Sequence, residues 1–143
     1  MEREFSAGGV AVRRMRGRWW MATIVPRGKP KVLALPKGLV EPGEATAETA
    51  LRETLEETGL RTEHVAKLGD IRYVYTRQGM RIFKVVSFHL LQVRGGRLGE
   101  IEESMRLEVE DTRWLPLADY RRLSYGGERE VAGRALDRLT LSV

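Results

Sequence analysis

The stretch from 45 to 58 is the one strongly helical pattern in the first half of the chain, and its charges limit what the surrounding fold can be. Ala47, Ala50, Leu51, Thr54 and Thr58 recur at i, i+3, i+4, i+7 and i+11, so they share a side that packs on a sheet. Glu53, Glu56 and Glu57 recur at i, i+3 and i+4, which gathers three carboxylates on a second face, expected to be exposed. Like charges at that spacing cost an isolated helix roughly a few tenths of a kcal/mol per pair. A hard divalent cation such as Mg2+, which prefers oxygen ligands, offsets that cost; a solvated acidic face is the plainer alternative.

What precedes the helix favours the cation. Leu35-Pro36-Lys37-Gly38-Leu39-Val40-Glu41-Pro42-Gly43-Glu44 holds two prolines and two glycines and reads as a rigid loop. Without a Cβ, Gly38 lets its carbonyl approach an ion or a phosphate closely, and Lys37 supplies a point charge for a phosphate oxygen. Gly59 follows the helix as its C-cap.

Around this unit the chain alternates strands and helices. Residues 5–14 and 18–25, rich in Val, Ile and Trp, read as strands about an Arg16-Gly17 turn. Residues 32–35 read as a third strand, and residues 68–74 and 81–92 as two more about a turn at Gln78-Gly79. Of the adjacent Trp19 and Trp20, one is expected in the core and the other at a rim or a dimer contact. Residues 117–123 read as a short helix and 128–139 as a longer one. The pattern is that of a mixed α/β or α+β fold, a single domain over residues 1–143.

Composition removes several classes of chemistry. With no cysteine there is no disulfide, thiolate metal site or thiol nucleophile, and two histidines, His64 and His89, are too few for an ordinary zinc site and read as structural or surface groups. No apolar run is long enough to span a membrane, and MEREFSAGGV lacks the apolar stretch of a secretory signal, so a cytoplasmic protein is expected. The net charge of +5 suits an anionic partner such as a nucleotide or polyphosphate. Nucleic acid is admitted by the charge but not favoured, and monomer and homodimer both stay open.

Read in order, Gly38, Glu44, Arg52-Glu53, Glu56-Glu57 and Gly59 fall at the spacing of the Nudix box, and the segment from Gly38 to Leu60 resembles the Nudix hydrolase family; Thr54 departs from it, standing where a larger aliphatic residue is usual. The resemblance implies an α/β/α sandwich with a mixed β-sheet and a loop-helix-loop catalytic motif that binds Mg2+ or Mn2+. It implies Glu53, Glu56 and Glu57 as metal ligands with the Gly38 carbonyl completing the site, Glu44 and Arg52 as an ion pair pinning loop to helix, and Glu53 or Glu56 as general base.

Substrate class rests on weaker signs. Leu35-Pro36-Lys37-Gly38 resembles the form of the box found in hydrolases of diadenosine polyphosphates. The run from Glu108 to Arg113-Trp114 is similar to a stretch in those enzymes whose leading glutamate faces the metals, which makes Glu108 the choice among Glu100, Glu102, Glu103, Glu108, Glu110 and Asp111. Tyr73 and Tyr75, at i and i+2 on a strand, share one side and offer a platform for a purine, with core packing as the plainer reading. Arg72, Arg77, Arg81 and Lys84 cluster about the same hairpin, where guanidinium groups suit a polyphosphate tail. The expected activity is metal-dependent hydrolysis of a diphosphate linkage in a compound such as diadenosine tetraphosphate, with nucleoside triphosphates or a catalytically silent nucleotide- or RNA-binding module as alternatives.

Overall fold

A computed structural model describes residues 1–141; the last two residues of the domain expected over 1–143 lie outside the described residues. Strand β1 (Glu2–Met15) turns at Arg16-Gly17 into β2 (Arg18–Pro26), and a loop leads to the short β3 (Lys37–Leu39) and helix α1 (Thr46–Thr58). Then follow β4 (Leu60–Arg77), β5 (Met80–Gly96), a 3-10 turn at Glu103–Leu107, β6 (Val109–Pro116), a second 3-10 turn at Leu117–Arg122 and helix α2 (Gly126–Thr140).

The strands form one mixed sheet in the order β4-β5-β1-β2-β6. β1 runs parallel to β5 along most of its length, while its other edge is shared, β2 pairing with Val12 to Met15 and β3 with Ser6 to Gly8. Alternation sorts the core. Val10, Val12, Val86, Phe88 and Leu90 pack with Val131, Ala132 and Ala135 of α2, whereas Ala7, Ala11, Leu91 and Val93 pack with Ala50 of α1. The two helices therefore cover opposite faces, and β1 is buried from Ser6 to Val12 without the polar alternation of a one-sided sheet. Gly9 is what brings α1 close, because a Cβ there would lie 2.7 Å from the Thr54 hydroxyl. The small Thr54 in place of a larger aliphatic residue fits this tight approach.

Both hairpin turns have the left-handed pair of residues that a two-residue connection needs: Arg16 and Gly17 at φ 53° and 74°, Gln78 and Gly79 at 50° and 77°. Gly59 caps α1 at φ 83°, its N–H bonded to the Leu55 carbonyl. Trp19 and Trp20 do not divide into core and rim. Both are half-buried, Trp19 against the α2-side core and Trp20 with its ring N–H on the Met15 carbonyl.

Two segments depart from expectation, and a third is given no element by the sequence pattern. Residues 32–35 make only one bridge, Ala34 to Ile24, and the strand starts at Lys37 instead. Their backbone is satisfied elsewhere: Leu33 bonds Ser124 and Leu35 bonds the Glu128 side chain. The acidic stretch after Glu108 is strand β6, paired to β2 with its charges outward and Val109 and Leu115 inward. β4 begins at Leu60 rather than 68, because register shifts near Thr62, Ala66 and Gly69 break the alternation that would have marked its first half.

Candidate active site

The loop and the helix are joined through one arginine. Arg52 Nε and Nη2 donate to the two oxygens of Glu44 at 2.8 and 2.9 Å, Nη2 also reaches the Leu39 carbonyl at 3.1 Å, and Nη1 lies 2.9 Å from Glu53 and 3.4 Å from Glu56. The two bonds to Glu44, with one from the Thr49 hydroxyl, hold its carboxyl down at about 2. A planar fork spread over four partners is a task a lysine cannot do. Arg52→Lys is expected to lower kcat/KM about tenfold and stability by about 1–2 kcal/mol, read from steady-state kinetics and denaturant unfolding.

The three box glutamates are not equally exposed, contrary to expectation. Glu56 is 40% exposed and Glu53 only 13%, measured on their side chains. Glu57 is buried, its Oε1 accepting the Lys37 backbone N–H at 3.1 Å. The reason is local: Glu57 stands one position before Thr58 and three after Thr54, at the margin of the face that packs on the sheet. Burial pushes its carboxyl up to about 8, with the charges of Glu53 and Glu108 adding to the rise and the Lys37 N–H opposing it. Glu53 is raised by burial too, and by Glu56 and Glu108 against the pull of Arg52. Gly38 makes the packing feasible, because a Cβ there would overlap the Glu53 carboxylate.

Glu57 and Glu108 share the wall of a cleft of about 690 Å³, whose lining also includes Lys37, Arg72, Tyr73 and Tyr125, with Ile24 and Phe88 as an apolar floor. Glu108 arrives there at the end of the Glu103–Leu107 turn, where its carbonyl accepts the Arg27 N–H. Lys37 is bonded to Glu128 at 2.9 Å and lies 5.4 Å from the Tyr125 ring centroid. Burial alone would lower its ammonium, but Glu128 and then Glu57 hold it above the ordinary lysine value.

Tyr75 and Lys84 are not gathered into this cleft. Both turn to Glu4 of β1, Tyr75 through its hydroxyl at 3.0 Å and Lys84 through its ammonium, and Arg77 joins them at 3.3 Å. Tyr73 and Tyr75 do share a side, their ring centroids 6.1 Å apart, but the second tyrosine of the cleft is Tyr125. Arg72 lines the cleft and pairs weakly with Asp70 at 3.4 Å. Sequence reasoning missed Tyr125 and Glu128; the only signal was a glutamate in the first turn of a helix, which reads as an ordinary dipole partner.

His64 and His89 find each other and the start of α1. His89 Nδ1 lies 2.9 Å from His64 Nε2, and its Nε2 3.0 Å from the Thr46 hydroxyl. Burial, then the nearby His64 and Lys67, lower His89 to about 4, against Asp70. A base whose folded pKa lies below its unfolded value binds more protons unfolded, so stability is whole above the unfolded value and is lost as pH falls toward 4. His89→Gln is expected to lose about 2 kcal/mol less than the parent between roughly pH 7.5 and pH 4.5, checked by urea unfolding at both.

A metal ion would have to be held by oxygen. Among the described residues, no three acidic or histidine side chains converge closely enough to enclose an ion as they stand, and Arg52 Nη1 lies between Glu53 and Glu56. The donor set nonetheless suits a hard cation: a carboxyl pushed toward neutrality first by burial and then by its acidic neighbours gains most from one, and bare Gly38 gives the Glu53 carboxylate the space it fills.

Loop, helix and arginine staple stand on the sheet as the box resemblance implied. The family model described as NUDIX domain matches residues 3–136, and the chain belongs to the Nudix hydrolase family. It is 40% identical over 110 residues to the putative mutator protein MutT4 of Mycobacterium tuberculosis (strain CDC 1551 / Oshkosh), covering 74% of this chain and 43% of that protein. It is 37% identical over 82 residues to the asymmetrical bis(5'-nucleosyl)-tetraphosphatase of Rattus norvegicus, covering 57% of this chain and 54% of that one. The chain thus spans about half the length of these relatives. Its fold is similar to that of the C. elegans Ap4A hydrolase in a binary complex, at a TM-score of 0.74 and 22% identity over 96% of this chain and 98% of that one. Nudix enzymes generally use divalent metals. No helix among the described residues is long and apolar enough to cross a membrane.

Proposed function

We propose that the chain hydrolyses a P–O–P linkage in a nucleotide, with Mg2+ or Mn2+ as cofactor, and that its substrate is a dinucleoside polyphosphate such as diadenosine tetraphosphate. The observation that supports this best is that one cleft joins the carboxylates Glu57 and Glu108 to the aromatic pair Tyr73 and Tyr125, with Lys37 among them. At about 690 Å³ it falls within the range of small-molecule sites. Glu53, Glu56 and Glu57, with Glu108 and the Gly38 carbonyl, would hold the ion. When bound, such an ion screens the phosphoryl charge and acidifies water.

The chain's own residues do the rest. Arg52 fixes the carboxylates relative to the loop, so their geometry is set before substrate arrives. Glu53 or Glu56 takes the proton from the attacking water. Lys37 offers its ammonium to a phosphoryl oxygen of the chain being cut. The water oxygen bonds to phosphorus, the bridging P–O bond breaks, and the departing phosphate keeps the electron pair. From diadenosine tetraphosphate the products are ATP and AMP.

A second reading, a nucleoside triphosphate pyrophosphohydrolase, is favoured by the 40% identity to a protein named a mutator protein. Chromatography of products from diadenosine tetraphosphate, 8-oxo-dGTP and ADP-ribose, each with Mg2+ and with EDTA, separates the two. ATP plus AMP from the first alone supports the dinucleotide. Pyrophosphate from 8-oxo-dGTP alone supports the second reading, and tight, salt-dependent RNA binding without any product supports a silent module.

A further inference from the structure

The segment that leads into the box is strapped to α2, an element the box does not contain. Ser124 N–H donates to the Leu33 carbonyl at 2.9 Å, and Leu33 N–H returns to the Ser124 hydroxyl at 2.8 Å. Two residues on, Leu35 N–H donates to Glu128 Oε1 at 2.8 Å, and Lys37 Nζ meets Glu128 Oε2 at 2.9 Å. Alternate residues of one extended segment are thus held by Ser124, in the chain just before α2, and by Glu128 in the first turn of α2. The Glu128 side chain is only 4% exposed, that of Lys37 29%.

We infer that Glu128 is a positioning residue that acts through Lys37, setting where its ammonium stands in the cleft; this rests on the reading that Lys37 meets a phosphoryl oxygen. A buried carboxylate with one oxygen on a backbone N–H and the other on an ammonium cannot rotate without giving up both bonds. Lysine is a point charge on a flexible four-carbon stem, so its place is not fixed by its own chemistry. Here Glu128 fixes it from one side while Lys37's own backbone N–H is held by Glu57 at 3.1 Å, so the same residue is tied at its amide to the carboxylate helix and at its head to α2. α2 thereby becomes part of the reaction centre, with Tyr125 at its start placing a ring 5.4 Å from the same ammonium.

Glu128→Gln separates positioning from mere packing, because its amide oxygen still accepts the Leu35 N–H while the negative partner of the Lys37 ammonium is gone. Affinity for the β,γ-methylene analogue of ATP with Mg2+ is expected to fall about tenfold in Glu128→Gln and by a similar factor in Lys37→Met. The double variant should bind no more weakly than Lys37→Met alone. Factors that multiply, or an unchanged affinity in Glu128→Gln, overturn the inference. A second readout needs no nucleotide: acylation of Lys37 by an amine reagent, mapped by peptide mass spectrometry against Lys29. It should quicken about tenfold in Glu128→Gln, and an unchanged rate overturns the assignment. If the parent protein binds no analogue, the proposed function fails on its own, and the acylation rate still decides whether Glu128 holds Lys37.

Discussion

Glu57→Gln is expected to lower kcat/KM by about a thousandfold or more while leaving the fold in place. Glu57 is the box carboxylate that reaches the cleft wall from inside the packed face of α1, bonded by Oε1 to the Lys37 backbone. Glutamine keeps that bond through its carbonyl oxygen and matches the volume, so the helix packs as before. What it lacks is the negative oxygen a divalent ion requires. In the ion-free protein the substitution should not destabilise: burial already drives this carboxyl up to about 8, and a neutral amide carries no charge to desolvate. Kinetics with saturating Mg2+ and unfolding in EDTA test the two halves separately. Near-parental turnover would take Glu57 out of the reaction; a collapse in stability would make it a packing residue.

Gly38→Ala should cost about a hundredfold in kcat/KM for the addition of one methyl group. The added Cβ would occupy the space of the Glu53 carboxylate, which must then swing away and surrender its 2.9 Å bond to Arg52. Gly38 is not among the glycines at positive φ, so alanine pays no backbone penalty there and the loss comes from the side chain it displaces. The check is a cycle with Glu53→Ala. Where the carboxylate is already absent the methyl has nothing to strike, and Gly38→Ala should cost little more. An equal further loss in that background would place the effect in the backbone and not in Glu53.

The parts of this protein that could be read from its sequence are those whose cause is local. A helix of small apolar and acidic faces, capped by Gly59, needs no distant partner to be recognised, and two hairpin turns announce themselves by Gly17 and Gly79, which take left-handed backbone freely. The same holds for Arg52 and Glu44, eight residues apart and joined within the box. The rest depends on partners far along the chain. The Leu35 N–H donates its hydrogen bond to a side chain 93 residues away, so a segment with strand-forming residues leaves the sheet. Glu4, 71 residues before Tyr75, draws that tyrosine and Lys84 away from the cleft, and nothing in the hairpin's own pattern foretells it. β6 hid because its outward face is charged, as an edge strand's often is. Helical spacing put Glu57 on an open face because it cannot tell the margin of a packed stripe from solvent.

One experiment bears on the reaction itself: incubate the protein with diadenosine tetraphosphate in water enriched in oxygen-18, with Mg2+ and again with EDTA, and weigh the products by mass spectrometry. Hydrolysis of a phosphate anhydride at the carboxylate end of the cleft should give ATP and AMP only with the metal present, with a single oxygen-18 on the phosphate that water attacked. Unlabelled products, release that persists in EDTA, or no release would contradict it.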